Sequence, residues 1–234
     1  MMRILLFLSL ALVLFAGAPD NFHKAKRASA SIYRSHLKSF YINADLISVK
    51  HKLTFADNPY TSMKHAYRGG NIEWEHVTPA SWFVTADKGI YKAWKTGHPK
   101  CIKKGKKFKG RKCAGKVSQI FRKMEADMYN LVPANGALNA LRSNNNFGII
   151  PGEAREFGAK VDFEITGDIV EPMPSIRGDI ARIMIYMHRK YGVIFPNHNS
   201  TMRMLDLWDM EDPEDEWEVE KRHILETKYG VVFY

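Results

Sequence analysis

Two stretches of the chain place their apolar side chains at helical spacing. Between residues 21 and 42 these side chains recur every three or four positions, which predicts an N-terminal helix that ends before Phe40. From Ile176 to Tyr191 they fall on one side of a helix, and Gly192 follows directly. Because glycine commonly stands just beyond a helix end, this second pattern predicts a core helix that terminates there.

Shorter segments have the composition of strands. Tyr41 to Val49 and Leu53 to Phe55 predict a hairpin or a pair of strands. Ile72 to Val77 alternates, so that Glu75 and His76 would point to opposite faces of a strand that ends before Pro79. Both residues would then stand at the end of a strand.

The middle of the chain carries two further helical patterns. They run from Phe121 to Leu131 and from Asn135 to Asn145, and Val132-Pro133 separates them. Because proline interrupts a helix, we expect two helices with a break at this dipeptide.

The chain is strongly basic, with 35 Lys and Arg against 25 Asp and Glu and a formal net charge of +10. This balance favours an acidic partner, either nucleic acid or an anionic membrane. Residues 95–116, here called the basic segment, hold ten Lys or Arg, four Gly and no acidic residue. That composition predicts a long, extended and solvated loop.

Residues 206–220 have the opposite charge, with nine acidic residues and no basic one. Three roles fit this acidic segment. It is a solvated helix end, an internal partner of the basic segment, or a phosphate mimic that limits non-specific binding. The sequence leaves these three open.

The first residues have the order of a secretory signal. Arg3 precedes an apolar run from Ile4 to Ala16, which is too short to span a bilayer comfortably. We expect residues 1–18 to be a signal peptide and residues 19–234 to be the mature domain, with cleavage after Ala16 as an option. An uncleaved membrane anchor is the alternative.

The two cysteines, Cys101 and Cys113, both lie in the basic segment. Two cysteines cannot form a four-cysteine zinc site, and export from the cell permits a disulfide. A structural clamp on the basic segment is therefore favoured over a redox role.

Two clusters carry groups suited to catalysis, namely Glu75-His76 and the polar run of residues 125–144. Carboxylate and amide oxygens are hard ligands for Mg²⁺ or Ca²⁺, and an imidazole can take a proton from water at neutral pH. These are the groups of a phosphodiester hydrolase. Sequence motifs of metalloproteases, zinc fingers, nucleotide-binding folds and typical serine hydrolases are missing.

Four motifs follow one another along the mature chain. They are Glu73-Trp-Glu75-His76-Val-Thr-Pro-Ala80, Arg122-Lys-Met-Glu125-Ala-Asp-Met-Tyr-Asn130-Leu-Val-Pro133, Asn139-Ala-Leu-Arg142-Ser-Asn144 and Arg177-Gly-Asp-Ile-Ala-Arg182. Their sequence and order closely resemble the endonuclease I family of bacterial periplasmic and secreted nucleases. The resemblance extends over nearly the whole mature chain.

The resemblance implies a mixed α+β fold, one domain built around a ββα-metal finger. It also implies a monomeric, sequence-non-specific nuclease that cuts DNA, and RNA as well, to 5′-phosphate products. One divalent ion takes part, Mg²⁺ by default with Mn²⁺ or Ca²⁺ as alternatives. By position, His76 matches the general base, and Glu75 and Asn139 match the metal ligands.

Four further residues match positions around that site. Arg111 aligns, across a gap, with an arginine that contacts the scissile phosphate. Glu125 matches a site carboxylate that orients other groups, and Asn130 matches a loop asparagine that braces the finger. Arg142 would either assist the reaction or tie down the finger.

Two other classes of protein compete with an enzyme. A secreted nucleic-acid-binding protein on the same scaffold would bind in a salt-sensitive way without metal-dependent cleavage. A cationic membrane-surface protein is disfavoured, because Ile102 and Phe108 are the only sizeable apolar groups of the basic segment.

Overall fold

A computed structural model describes residues 17–50, 52–152 and 154–233. Most of the expected signal peptide, residues 1–16, therefore lies outside the described residues. The α-helices are α1 (Phe22–Ile32), α2 (Ala66–Gly69), α3 (Lys88–Lys95), α4 (Arg111–Val117), α5 (Gln119–Glu125), α6 (Gly136–Arg142), α7 (Arg177–Tyr191), α8 (His198–Glu211) and α9 (Glu216–Tyr229). Short 3₁₀ helices lie at Trp82–Thr85, Met128–Asn130 and Pro174–Ile176.

The strands form small sheets between these helices. They are β1 (Leu46–Val49), β2 (Lys52–Phe55), β3 (Ile72–His76), β4 (Ile102–Lys103), β5 (Lys106–Lys107), β6 (Leu131–Asn135), β7 (Asn146–Phe147), β8 (Phe163–Thr166) and β9 (Ile169–Pro172). β1 pairs with β2, β3 with β6 and β4 with β5, all antiparallel, while β9 lies between β7 and β8. This mixture confirms the α+β class, and the β1–β2 hairpin confirms the predicted strand pair.

The antiparallel pair of β3 and β6 leads directly into α6. Trp74 lies opposite Pro133, and all of β6 is buried. The prediction of a helix break at Val132-Pro133 missed this strand. Proline lacks the N–H that an interior strand needs, but both strands of a two-stranded sheet are edge strands, so proline is tolerated here.

The start of α6 is held against β3. The Asn135 side chain accepts hydrogen bonds from the backbone N–H groups of Ala137 and Leu138 and so caps the helix. At Gly136 an added Cβ would lie 2.7 Å from the Arg68 carbonyl oxygen and 2.8 Å from Glu73 Oε1. Only glycine lets the helix approach the strand this closely.

Helix α1 is shorter than predicted. It ends at Ile32, whereas the apolar spacing extended it to the residue before Phe40. The Ser35 hydroxyl donates a hydrogen bond to the Ile32 carbonyl, and such side-chain bonds compete with the continuation of a helix. The next residues form turns that lead to β1.

The basic segment is more ordered than its composition indicated. Its middle forms the exposed hairpin of β4 and β5, but α4 follows from Arg111. Cys113 and Ala114 of this helix are fully buried, and Cys101 and Cys113 form the disulfide. The prediction of an extended loop is therefore wrong for the second half, because net charge does not reveal one buried face.

Removal of this disulfide should destabilise the protein. It closes a loop with a sequence separation of 12, and a loop of that size restricts the unfolded chain by about 3 kcal/mol in the entropic account. We expect the double variant Cys101→Ala/Cys113→Ala to lose about that much free energy of unfolding, measured by urea denaturation. An unchanged urea midpoint, with wild type treated with reductant as the control, would contradict the structural role.

The predicted core helix is confirmed as α7. Its apolar face, including Ile180, Met184 and Met187, is buried, and Gly192 caps its end at φ 72°. Carboxylates of the acidic segment pair with arginines nearby. Asp209 and Glu218 bind Arg182 of α7, and Glu214 binds Arg222 of α9.

Among the helices that the structure describes, none combines the length and the apolarity that a membrane crossing requires.

Candidate active site

Four of the seven predicted site residues line one open cavity of about 680 Å³. Glu75 and His76 of β3, Arg111 of α4 and Asn139 of α6 all line it. They are separated by up to 64 positions along the chain. The pairing of β3 with β6 and the connection to α6 bring three of them together, and the disulfide-bridged basic segment brings Arg111.

His76 is held in one orientation. It is 6% exposed, and its Nε2 lies 2.9 Å from the backbone carbonyl oxygen of Glu125. Because a carbonyl can only accept, this contact assigns the ring proton to Nε2 and leaves Nδ1 without one. Burial, together with the charge of Arg111, lowers the pKa of His76 to about 3. The ring is therefore neutral at physiological pH and can accept a proton at Nδ1.

Aromatic side chains fix the plane of the His76 ring. Phe22 of α1 lies 4.8 Å from it, and Phe83 lies 6.0 Å from it at a steep angle. The Arg111 guanidinium also lies over the Phe22 ring, with 5.3 Å between its central carbon and the ring centre. Sequence reasoning missed Phe22, and its helical pattern contains no signal that would have singled it out.

Glu75 is a buried carboxylate with an anchored oxygen. It is 5% exposed, and its Oε1 accepts from Tyr41 Oη at 3.0 Å and from Arg142 Nη1 at 3.1 Å. Both bonds end on Oε1, so Oε2 takes part in neither. Burial raises the pKa of Glu75, and the charge of Arg142 opposes that rise.

The side chain of Asn139 is oriented by Glu73, a carboxylate on β3, the strand that also carries Glu75. Its Nδ2 donates to Glu73 Oε2 at 3.0 Å, and Arg68 binds both oxygens of Glu73. With the amide nitrogen engaged, the Asn139 oxygen is turned away from Glu73 and is free to act as a ligand. Sequence reasoning gave Glu73 no role, although the alternation of β3 placed it on the same face as Glu75.

Glu125 supports two neighbours at once. Its carboxylate pairs with Arg111, with 2.5 Å between Oε1 and Nε, while its carbonyl binds His76. The Arg111 side chain remains 45% exposed. This ion pair uses Nε, so the outer nitrogens of Arg111 are available to a phosphate.

Asn130 lies outside the cavity and joins two loops. Its Oδ1 accepts from the Thr78 backbone N–H at 2.7 Å, and its Nδ2 donates to the Thr78 carbonyl at 3.0 Å. The side chain is fully buried. It holds the chain after β3 against the chain before β6.

Arg142 is fully buried and acts as the internal tie between α6 and β3. Besides Glu75, its guanidinium donates to the carbonyl oxygens of His76 at 3.2 Å and Val77 at 2.7 Å. It is also stacked over Phe147, with 4.5 Å between its guanidinium carbon and the ring centre. Of its two sequence-based roles, these contacts support the tie.

Arg142→Met should therefore be strongly destabilising. The substitution leaves two buried carbonyls and a buried carboxylate without their donor, and breaking such a pair costs about 3–5 kcal/mol. Urea denaturation measures the loss, and Arg203→Met on the exposed surface of α8 serves as the matched control. Equal free energies of unfolding for the two variants would show that Arg142 does not hold α6 against β3.

The donor set fits a hard divalent cation. In the described part of the chain, no group of three or more His, Cys, Asp or Glu side chains is arranged to hold a metal. The cavity instead offers the Glu75 carboxylate and the Asn139 amide oxygen, each oriented by a second residue. Two protein oxygens with water and phosphate suit Mg²⁺, which commonly retains several waters.

Comparisons with known proteins place the chain in a family of nucleases. The family model of Endonuclease I matches residues 22–230. An extracellular deoxyribonuclease of Aeromonas hydrophila is 35% identical over 92% of this chain and 89% of its own length. A periplasmic deoxyribonuclease of the same organism is 32% identical over 92% and 86%. Endonuclease-1 of Buchnera aphidicola subsp. Acyrthosiphon pisum (strain APS) is 32% identical over 88% and 76%.

Proposed function

This chain belongs to the endonuclease I family, and from that membership we propose that it is a secreted or periplasmic endonuclease with a divalent metal and a histidine base. It hydrolyses the phosphodiester bonds of DNA, and of RNA, without sequence preference and leaves 5′-phosphates. The observation that carries this proposal is the cavity that His76, Glu75, Asn139 and Arg111 line together, where the contact of His76 Nε2 with the Glu125 carbonyl leaves Nδ1 unprotonated.

The unit of β3, β6 and α6 acts as the ββα-metal finger. Its first strand supplies Glu75 and His76, its second strand is the buried partner, and its helix supplies Asn139. Arg142 and Glu73 each bridge the helix and the first strand. These bridges keep the two ligands at a constant separation, which a metal site requires.

Glu75 and Asn139 would hold one Mg²⁺, or Mn²⁺ or Ca²⁺ in its place. When bound, the ion stabilises negative charge on the phosphate and on the departing oxygen. The chain's own contribution is to place Arg142 beside Glu75, where its charge opposes the rise that burial causes in the pKa of that carboxyl, and to engage the Asn139 nitrogen so that its oxygen is left for a ligand.

His76 is the general base. Its Nδ1 takes a proton from water as the water oxygen bonds to phosphorus, and Nε2 stays bound to the Glu125 carbonyl. The bond from phosphorus to the 3′ oxygen breaks, and that oxygen leaves with the electron pair and gains a proton from solvent. The phosphate therefore remains on the 5′ end of the other fragment.

Arg111 and the basic segment bind phosphates. Phosphate contacts carry no sequence information, which supports cleavage without sequence preference. They also release counterions, so the affinity for DNA falls steeply with salt. The exposed lysines of β4 and β5 and the free outer nitrogens of Arg111 are placed for such contacts.

End-group analysis of the products tests this proposal. Defined DNA and RNA oligonucleotides are incubated with the mature protein in Mg²⁺, and in EDTA as the control, and the new ends are identified by mass. We expect 5′-phosphates from both substrates in Mg²⁺ and intact oligonucleotides in EDTA. Tight binding without cleavage in Mg²⁺, Mn²⁺ or Ca²⁺ would favour the non-catalytic binding protein instead.

We propose that the apolar run from Ile4 to Ala16 belongs to a leader that exports the protein. With its own leader in a bacterial host, we expect the chain to accumulate outside the cytoplasm with a first residue between positions 17 and 19. Intact-mass measurement of the exported protein gives that residue. A full-length mass in the membrane fraction would support the uncleaved anchor.

A further inference from the structure

A second groove adjoins the catalytic cavity. It lies between α1 and the β1–β2 hairpin and has a volume of about 770 Å³. Lys26, Ile72 and Trp74 line both the groove and the catalytic cavity. The groove therefore opens into the cavity at the beginning of β3, whereas His76 lies at the end of that strand.

The groove is lined by positive charge. Three of its basic side chains, His23, Lys26 and Arg27, recur at helical spacing and form one face of α1. Lys50 and Lys52 of the hairpin line the other side. Of the described residues that line this groove, none is acidic.

These basic side chains differ from their neighbours, because no carboxylate of the described residues pairs with them. Lys24, which lies on another face of α1, pairs with Asp20 at 3.0 Å, and Lys38 pairs with Asp45 at 2.7 Å. Within the described part of the chain, none of the five groove side chains forms an ion pair. Salt screens part of their mutual repulsion, and an anion with several charges in the groove would offset more of it.

The floor of the groove is partly apolar. The half-buried Trp74 ring and Leu53 lie along it, and Val49 is 49% exposed at its rim. Apolar surface between rows of cations suits a nucleic-acid strand, whose sugars and bases are apolar on their faces and whose phosphates line its edge.

From this geometry we infer that the groove binds the sugar-phosphate backbone several nucleotides away from the bond that is cut. The substrate strand runs from the groove along β3 to His76 and Arg111. The five residues of β3 span about 13 Å, so this track contacts phosphates that the active site does not touch. The inference rests on the proposed function for the identity of the strand.

DNA binding in EDTA tests the groove without any cleavage. The triple variant Arg27→Gln/Lys50→Gln/Lys52→Gln removes three exposed charges that do not line the catalytic cavity. Fluorescence anisotropy with a duplex of about 20 base pairs is recorded over a range of salt concentrations. The salt slope is the steepness with which the logarithm of the binding constant falls with the logarithm of the salt concentration, and each lost phosphate contact lowers it by about 0.9. For three lost contacts we expect a salt slope lower by about 2 to 3 and an affinity reduced roughly 10- to 100-fold near 0.1 M salt.

A matched variant separates position from net charge. Lys160→Gln/Arg203→Gln/Lys228→Gln removes the same charge from exposed positions outside both the groove and the cavity. Its salt slope should stay close to that of wild type. Equal slopes for the two triple variants, or a groove variant that binds as tightly as wild type, would overturn the inference.

The results distinguish a failure of the groove inference from a failure of the proposed function. If wild type cuts no DNA but the groove variant still loses affinity and salt slope, the groove stands and the catalytic assignment fails. If wild type cuts DNA and the groove variant binds and cuts long DNA as wild type does, the groove inference fails alone.

Discussion

The variant His76→Ala should cut DNA at least about 10²- to 10⁴-fold more slowly than wild type, because general-base catalysis contributes that much. His76 lines the cavity and has a ring nitrogen that the Glu125 contact leaves unprotonated, and it is the only histidine among the described residues that line the cavity. Initial rates of cleavage in Mg²⁺ give the ratio. His223→Ala, at an exposed position of α9, is the matched control and should retain full activity.

The variant must also be shown to fold, because the His76 ring packs against Phe22 and Phe83. Circular dichroism and the urea midpoint serve that purpose. A folded His76→Ala protein that cuts within tenfold of wild type would remove the histidine from the reaction.

The pH profile of wild type offers a second check on the same residue. The pKa of His76 is lowered to about 3 by burial and by Arg111, so the base form is complete from pH 5 to pH 8 and protonates only well below that range. We therefore expect no inflection in the cleavage rate near pH 6.5, where an exposed histidine would titrate. An inflection there that His76→Ala abolishes would contradict the buried, neutral ring.

The second large effect should come from the proposed metal ligands. Glu75→Gln removes the single negative charge among the two protein ligands, and Asn139→Ala removes the other oxygen. Even residues that only orient a ligand change metal affinity by about 10- to 100-fold, so we expect loss of detectable Mg²⁺ binding and a cleavage rate lower by at least about 10²-fold.

Calorimetric titration with Mg²⁺ or Mn²⁺ measures the binding directly and does not depend on activity. Glu220→Gln, an exposed carboxylate of α9, is the matched control. Because burial raises the pKa of Glu75, protons should compete with the metal, and the affinity should fall as the pH is lowered. Unchanged metal affinity in Glu75→Gln would place the ion elsewhere.

The sequence predicted the elements whose pattern is local. Alternation located β3 almost to the residue, and apolar spacing with Gly192 located α7. Strand β6 was missed because its evidence is not local. Its five residues are buried, and they pair with β3, some 60 positions earlier. A short apolar run around Pro133 is also compatible with a break between helices.

Local sequence patterns were also insufficient to find every residue of the candidate site. Glu75 and His76 were candidates because of their chemistry, whereas Asn139 was selected from the polar run by the family resemblance, and that resemblance is confirmed. The residues that orient them, Phe22 and Tyr41, are ordinary aromatic residues far away in the chain. Their contacts depend on how α1 and the turn before β1 pack on β3, which no pattern within either segment reveals.

Cleavage of supercoiled plasmid by wild type and by His76→Ala, each with Mg²⁺ and with EDTA, tests the central claim most directly. The claim is that His76 and a metal held by Glu75 and Asn139 act together on a phosphodiester bond. It predicts nicking and then degradation by wild type in Mg²⁺, with intact plasmid in the other three reactions. Cleavage by wild type in EDTA at the Mg²⁺ rate, or by a folded His76→Ala protein at the wild-type rate, would contradict it.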